Sequence, residues 1–553
     1  MSKYLPILGW LPNYSSGWLR SDLVAGLTTA AVVIPQSMAY ATIAGLPVEA
    51  GLYTALVAML AYALLGTSRP MSVSVTSTIS ILTATQLALV VQSGDPADLM
   101  AAASTLALLV GGFLLLAGVL RLGFIANFIS IPVLTGFKAG IGMVVLVGQL
   151  GKVLGISVSK GPFFETIIAV VQGLDDVHLA TLMVALVTLA ILILLPRLMP
   201  RVPAPLVAVV VGIGASALLV LGDAGVKLVG FIPPGLPPLA LPDPSLISQL
   251  WPGALAIALM CFTESVAAGR AFVQHGEPQV DANQELLAIG AANVAGSFFR
   301  AYPAAGGTSQ TAVNRKAGAK TQLSGIATAC VVALTLLFLS PLVSQMPQAT
   351  LGALVLVAAA GLIKPDDFRA IGRIRREELA WAIVALAGVV LLGTLEGILV
   401  AVAVSLLTLL YHANHPPVYA MGRESGADVF RSLEQHPDDE KIPGLLIVRT
   451  EGRMHFASAP RTTDTFWHLI DEAQPRVLIL ELSAVPDIEY TALTMLADGE
   501  EKLRERGISL WLAGLNPTVQ ELVRRSPVGA TLGDERVFED VRQAVEAYEA
   551  TDQ

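Results

Sequence analysis

Charge is what this chain has least of. Asp, Glu, Lys and Arg make up 14% of its 553 residues against 54% hydrophobic ones, and the mean hydropathy of +0.68 excludes a soluble globular chain. Cysteine is nearly absent: Cys261 and Cys330 lie in apolar segments, read as small buried hydrophobes, and say nothing of redox compartment. No G-x-x-x-x-G-K-[ST] loop occurs, so a nucleotide-driven engine is excluded and transport, if any, is secondary. The seven histidines show no metal-ligand spacing apart from His412 and His415, which read as a solvated helix end. No catalytic constellation stands out, so neither enzyme, metal nor cofactor is expected. Residues 1–20 carry Pro6 and Pro12 where a signal peptide needs an apolar core, which places the first span after Asp22.

What the chain has in abundance is apolar runs. Stretches such as 106–120, 179–195, 207–221, 379–392 and 398–410 approach, with their flanks, the roughly 20 residues of a spanning helix. About fourteen such spans are expected, seven on each side of the Pro-rich stretch 232–244. Loops after even-numbered spans hold thirteen Lys and Arg, whereas the others hold only Lys152, Lys160, Lys227 and Arg300. This bias places both termini in the cytoplasm, and the expected location is the cell (inner) membrane.

Past Tyr411 the composition turns soluble. Residues 413–553 hold 14 Lys and Arg against 25 Asp and Glu, leaving the first 412 residues at +2. The overall acidity therefore says nothing about substrate, and nothing points to nucleic acid. Strands are predicted at 445–449, 477–482 and 509–513, and amphipathic helices at 463–473 and 492–506. The expected organisation is a membrane domain over 1–412 and a small α/β domain over 413–553.

Two tracts of small hydroxyl residues interrupt the apolar chain, Met71-Ser72-Val73-Ser74-Val75-Thr76-Ser77-Thr78-Ile79-Ser80 and Pro303-Ala304-Ala305-Gly306-Gly307-Thr308-Ser309-Gln310-Thr311-Ala312. Each falls in the third hydrophobic element of its half. Polar, Gly- and Pro-rich backbone at membrane depth is tolerated where it lines a cavity or is buried in protein, and corresponding interruptions in two halves mark a transporter's binding site. Among charges within the spans, Glu264 is the most informative, because no Lys or Arg lies within five residues of it. A carboxylate there must face a polar cavity, pair, or take a proton. Lys138, which can snorkel, and Glu396, read as a loop residue beside Gly397, are weaker candidates.

The residues resemble a known family. Asp22-Leu23-Val24-Ala25-Gly26, Ile34-Pro35-Gln36-Ser37-Met38-Ala39-Tyr40-Ala41, Ala44-Gly45-Leu46-Pro47 and Gly51-Leu52-Tyr53 look like the first-helix signature of the SulP anion transporters. Gly66-Thr67-Ser68-Arg69, Asn283-Gln284-Glu285-Leu286, Gly290-Ala291-Ala292-Asn293 and Thr311-Ala312-Val313-Asn314 follow in order, and the tail is similar to the family's STAS domain. The resemblance implies an all-α membrane domain of two inverted seven-span repeats, arranged as core and gate, followed by a cytoplasmic α/β STAS domain. It also implies a homodimer.

Short helices that begin mid-membrane point unpaired N–H groups and positive dipole ends into a gap, and two such ends facing one another make an anion site without a fixed cation. The expected substrate-binding groups are the backbone at Val75, Thr76 and Ser77 and at Ser309, Gln310 and Thr311, with hydroxyls of Thr76, Ser77 and Ser309 as further donors. Gln36 and Tyr40 are expected to wall the site, and Glu264 to carry a coupled proton. Many relatives have an aromatic residue at the position of Thr76 and an arginine at that of Gln310. These departures favour an anion that uses several donors over chloride.

The leading expectation is a proton-coupled symporter of a carboxylate such as a fumarate-like C4-dicarboxylate, working by elevator-type alternating access. The alternative is an uncoupled or sodium-coupled exchanger or channel for bicarbonate, sulfate or chloride. A third reading is a membrane receptor whose business is the cytoplasmic domain; the paired tracts disfavour it. In the tail, Glu489 and Thr491 occupy the loop where regulatory STAS domains hold a phosphorylatable serine after an aspartate, and a docking or packing role for a cytoplasmic protein partner is expected there.

Overall fold

The computed structural model describes residues 5–12, 14–91, 93–127, 130–158, 161–200, 202–274 and 277–551. Lys160, Arg201 (one of the thirteen loop cations) and His275 (one of the seven histidines) lie outside the described residues. Contacts divide the chain into two compact units that part between Ser405 and Leu406.

The first unit is helical. Its principal helices are α1 (Leu19–Ile43), α2 (Val48–Leu65), α3 (Ser77–Val90), α4 (Pro96–Val119), α5 (Ile131–Leu154), α6 (Leu179–Leu198) and α7 (Ala204–Leu219). After the Pro-rich crossover come α8 (Ile247–Ala271), α9 (Ala282–Ser297), α10 (Thr308–Lys316), α11 (Leu323–Leu334, prolonged through a π-helical turn to Val343), α12 (Gln348–Ala360), α13 (Arg376–Leu392) and α14 (Thr394–Asn414). Eight helices among the described residues are long and apolar enough to cross a bilayer, while α3, α7 and part of α14 are shorter apolar segments. Short polar signals set the boundaries. Asp95 accepts from the Ala97 N–H at 2.8 Å just before Pro96 opens α4, Asp281 caps α9 through Asn283 at 2.9 Å, and Gly155, at φ 75°, ends α5.

Packing sorts these helices into two groups. α1–α4 pack with α8–α11, the most extensive contact being α4 on α9, and α5–α7 pack with α12 and α13. α14 joins the second group through Val400 beside Gly388 of α13 and Ser405 beside Ser130. The two groups touch mainly through α1 on α12 and α7 and through α3 on α5. Small residues make the close approaches within each group. Gly51 of α2 lies directly on the Ser37 carbonyl of α1, and Gly136 of α5 lies on that of Ala382 of α13, so no side chain fits at either place.

Three expectations need correction here. α1 begins at Leu19, so Asp22 is inside the first helix. Fully buried, it accepts from the backbone N–H of Lys320 and Thr321 at 2.7 and 3.1 Å and from the Thr321 hydroxyl at 2.7 Å. An aspartate read as a boundary marker is in fact a rivet between α1 and the α10–α11 turn. Glu396 stands in the first turn of α14 and is exposed, not in a loop. Cys261 is buried as expected, whereas Cys330 is exposed on α11.

Two short strands are the element that hydropathy did not foretell. β1 (Val73–Ser74) pairs antiparallel with β2 (Ala305–Gly306), Val73 opposite Gly306 and Ser74 opposite Ala305. Backbone off the helical path cannot leave its polar groups unpaired at membrane depth, and each tract satisfies the other.

The second unit carries a six-stranded sheet of β3 (Val418–Arg423), β4 (Phe430–Ser432), β5 (Leu445–Thr450), β6 (Val477–Glu481), β7 (Ser509–Ala513) and β8 (Val537–Phe538) in the order β4-β3-β5-β6-β7-β8. β3 runs antiparallel to β4 and β5, and the remaining pairs are parallel. α15 (Ala459–Ala473) and α16 (Tyr490–Glu505) cover one face around Val448, Leu480 and Leu512. The C-terminal helix α17 (Val541–Thr551) covers the other through Val541, Ala544, Val545 and Tyr548. Doubly covered parallel strands explain why 477–481 is apolar at nearly every position.

Candidate functional site

Because β1 and β2 are antiparallel and each leads within two residues into a helix, α3 and α10 depart in opposite directions with their N-termini meeting across the sheet. The junction is closed by polar groups from five elements. The Gly307 N–H donates to Ser72 O at 3.0 Å and the Ser72 N–H to Thr311 Oγ1 at 3.1 Å. From α8, Ser265 Oγ accepts the Gly306 N–H at 2.8 Å; a side chain at Gly306 would meet Met71 Sδ at 2.6 Å. From α9, Asn293 brackets Ala304, accepting its N–H at 2.8 Å and donating to its carbonyl at 3.0 Å. Tyr302 exchanges a hydrogen bond with Ser80 of α3 at 3.1 Å.

At the helix starts donors are left over. The first intrahelical bonds are Ser80 N–H to Thr76 O and Thr311 N–H to Gly307 O, so Ser77 and Thr78, and Thr308, Ser309 and Gln310, have N–H groups without an acceptor in their helices. Ile79 N–H is capped by Thr76 Oγ1 at 3.3 Å. The side chains of Thr308 and Ser309 are exposed although they sit where the two half-helices meet. Glu264 of α8, only 6% exposed, accepts from Thr76 Oγ1 at 3.0 Å and has no ion pair among the described residues. The Tyr40 hydroxyl of α1 lies beside Ser77 and the Glu264 carboxylate.

The residues singled out from sequence therefore come together at one junction, but several do different work from that expected. The Thr76 hydroxyl is committed to Glu264 and to the cap. Gln310 keeps its backbone N–H among the leftover donors, while its side chain, 2% exposed, turns away from the gap: Oε1 accepts from Ser74 Oγ at 2.5 Å, and Nε2 reaches Val75 O and Gln36 Oε1, both at 3.4 Å. The Thr311 N–H is spent inside α10 and its hydroxyl on Ser72. Val75, fully buried, contributes its carbonyl to Gln310. Ser77, Ser309, Tyr40 and Glu264 remain at the gap. Sequence reasoning gave no site role to Thr308, Ser265 or Asn293; Thr308 stands in the second tract and Asn293 in a family motif, yet the bracket of Asn293 on Ala304 depends on a fold that brings α9 to that tract.

The other motif residues also hold this junction in place. Glu285 is fully buried and accepts from Thr67 N–H at 2.9 Å, Thr67 Oγ1 at 2.5 Å and Tyr62 OH at 3.0 Å, fixing the loop that enters β1. Asn314 donates to Pro70 O at 2.9 Å, and Gln322, outside the motifs, donates to the Ser68, Arg69 and Met71 carbonyls within 3.1 Å. The chemistry offered is dipolar: helix-end N–H groups and hydroxyls face an acceptor, with the Glu264 carboxylate beside them.

Paired half-helix N-termini buried in a helical bundle mark the class, a polytopic membrane protein built to handle small anions. The comparisons with known proteins specify it. The sulfate permease family model matches residues 19–406 and the STAS domain model residues 436–544. This chain belongs to the sulfate permease family of anion transporters and carries a C-terminal STAS domain. It is 36% identical over 550 residues to a probable sulfate transporter of Mycobacterium tuberculosis, 98% of either chain. It is 31% identical to a chloroplastic sulfate transporter of Arabidopsis thaliana, over 98% of this chain and 82% of the other. The inward-facing structure of the murine Slc26a9 anion transporter superposes with a TM-score of 0.89 at 25% identity, over 99% of this chain and 94% of that one. The transmembrane domain of a cyanobacterial bicarbonate transporter gives 0.61 at 25% identity, over 71% and 98%.

Proposed function

We propose that this protein is a secondary transporter that moves a small oxyanion, sulfate foremost, together with a proton across the cell membrane. The observation that carries the reading is the Glu264 carboxylate, which has no cation partner among the described residues and is hydrogen-bonded to Thr76 at the start of α3. A divalent anion entering between the half-helices meets donors and two positive dipole ends but also a negative carboxylate, and protonation of Glu264 removes that repulsion. Anion and proton then favour one another reciprocally, which gives symport.

The polar Thr76 and the lack of a fixed cation at Gln310 suit any oxyanion that uses several donors, sulfate as well as a carboxylate, and the names of the similar transporters favour sulfate. We assign alternating access to movement of the group α1–α4 with α8–α11 against α5–α7 with α12–α14. Charge bias assigns both termini to the cytoplasm, where the domain over 413–553 serves regulation or assembly, including the homodimer that the family implies.

The test is uptake of radiolabelled sulfate into proteoliposomes, with unlabelled fumarate and bicarbonate as competitors and with imposed pH or sodium gradients. Acceleration by an inward proton gradient, lost in Glu264→Gln while sulfate binding persists, is the expected result. Uptake that follows a sodium gradient alone, or a Glu264→Gln variant responding to the pH gradient as fully as the parent, would overturn the coupling assignment. Absence of saturable sulfate uptake, or its abolition by fumarate at far lower concentration than by unlabelled sulfate, would overturn the substrate.

A further inference from the structure

We infer that the Thr76 hydroxyl is the positioning group through which the charge state of Glu264 reaches the anion site. The inference rests on the reading of Glu264 as the proton carrier. A hydroxyl has one proton and two lone pairs. Here one lone pair caps the Ile79 N–H at 3.3 Å, and the proton goes to Glu264 Oε2 at 3.0 Å. A carboxylate is acceptor only, so while Glu264 is ionised the hydroxyl proton is committed to it and the anion site has one donor fewer.

When a proton from solution bonds to the Glu264 carboxylate, the new O–H can donate to the second lone pair of Thr76 Oγ1. The hydroxyl proton is then free to rotate into the gap beside the unpaired N–H groups of Ser77, Thr78, Thr308 and Ser309. Only the O–H bond on Glu264 is formed, and the cap on Ile79 stays in place throughout. The site thus gains a donor at the moment when Glu264 loses its charge, and both changes favour the anion.

The groups around Glu264 leave the hydroxyl as its hydrogen-bonding partner. Tyr40 of α1 and Cys261, one turn back on α8, are the titratable groups beside it. Charged residues of the other helices packed on α8 stand at helix ends and are engaged elsewhere: Asp98 of α4 with Ser93, Glu285 of α9 with Tyr62 and Thr67, and Arg315 of α10 with Glu277. Arg270 and Lys316 lie in the last turns of α8 and α10.

The experiment is equilibrium sulfate binding to the full-length purified protein at about pH 5.5 and about pH 7.5, either side of neutrality. Parent, Glu264→Gln, Thr76→Val and Thr76→Ser are compared, with folding followed by thermal unfolding. The parent should bind more tightly at the lower pH. Thr76→Ser should keep that gain, and Thr76→Val should lose roughly tenfold of it, the worth of one hydrogen bond to a charged acceptor. A Thr76→Val protein with the parent's full gain overturns the relay. If Thr76→Val does not fold, Glu264→Asp separates the pair from the other side while keeping a titrating acid, and retention of the full gain there overturns the relay equally. A parent with no pH dependence instead defeats the proton reading itself; a dependence abolished by Glu264→Gln but untouched at Thr76 defeats only the relay.

Discussion

Replacing Gln310 by leucine tests whether the half-helices are held in place by side chains or by the β1–β2 pairing alone. The amide of Gln310 makes four polar contacts. One is short, Ser74 Oγ to Oε1 at 2.5 Å; those to Val75 O and Gln36 Oε1 at 3.4 Å and from Ser72 Oγ at 3.5 Å are at the edge of hydrogen-bond reach. Leucine fills most of the space but leaves the fully buried Ser74 hydroxyl without its main acceptor, which costs about 1–3 kcal/mol. Ser74 recovers part of this through Val75 O, already at 3.5 Å, so a net loss of about 2 kcal/mol is expected. Loosening the junction should also weaken sulfate binding roughly tenfold, because the donors are no longer preorganised. Gln310→Glu keeps the acceptor for Ser74 but sets a negative oxygen against two carbonyl oxygens and beside the helix ends, and should abolish binding. Sulfate binding and thermal unfolding of both variants check this. A Gln310→Leu protein with parental affinity and melting temperature, or a Gln310→Glu protein that binds normally, would refute the reasoning.

Glu285→Ala strips the acceptor from the buried Tyr62 OH, at about 1–3 kcal/mol, and from the N–H and Oγ1 of half-buried Thr67, at less each, together a large share of a typical fold's stability; no monodisperse protein should be recovered by size exclusion. Glu285→Gln keeps one acceptor oxygen and should fold with a lowered melting temperature. In the second unit, Arg431 forks onto Asp439 at 3.0 and 2.7 Å, and its hydrogen bonds hold the Asp439 carboxyl below the usual aspartate range. A depressed carboxylate stabilises the fold above its ordinary pKa of about 4 and ceases to do so as pH falls through the depressed value. Hydrogen exchange in the β3–β4 hairpin of the full-length protein should accelerate over that acid range, and Arg431→Gln should raise exchange near neutral pH while removing the acid-linked change. Truncation after Asn414 should leave sulfate binding measurable, since the junction lies wholly within the first unit; lost binding in a truncated protein that stays monodisperse would assign the C-terminal domain a part in the site.

Periodicity and composition read the first part of the chain as helical and the rest as a small α/β domain, and they point to two hydroxyl-rich tracts as the candidate site. These features are written locally: an apolar run declares a span, Ser, Thr and Gly inside it declare a cavity or a crossing, and a carboxylate in the middle of α8 declares an exception that needs a partner. What the local pattern could not reveal is which group each polar atom faces. The tract points to the backbone N–H of Gln310, but that its side-chain amide faces β1 follows from the antiparallel register of Val73 with Gly306 across more than two hundred residues of sequence. Asp22 looked like the edge of a span until its distant partners at Lys320 and Thr321 were in place. Thr76 and Glu264, 188 residues apart, meet only once α8 lies against α3. A hydrogen bond selects its partner within about 3 Å, and such distances between remote residues are decided by how helices pack, through contacts such as Gly51 on Ser37, and not by the neighbours in the chain.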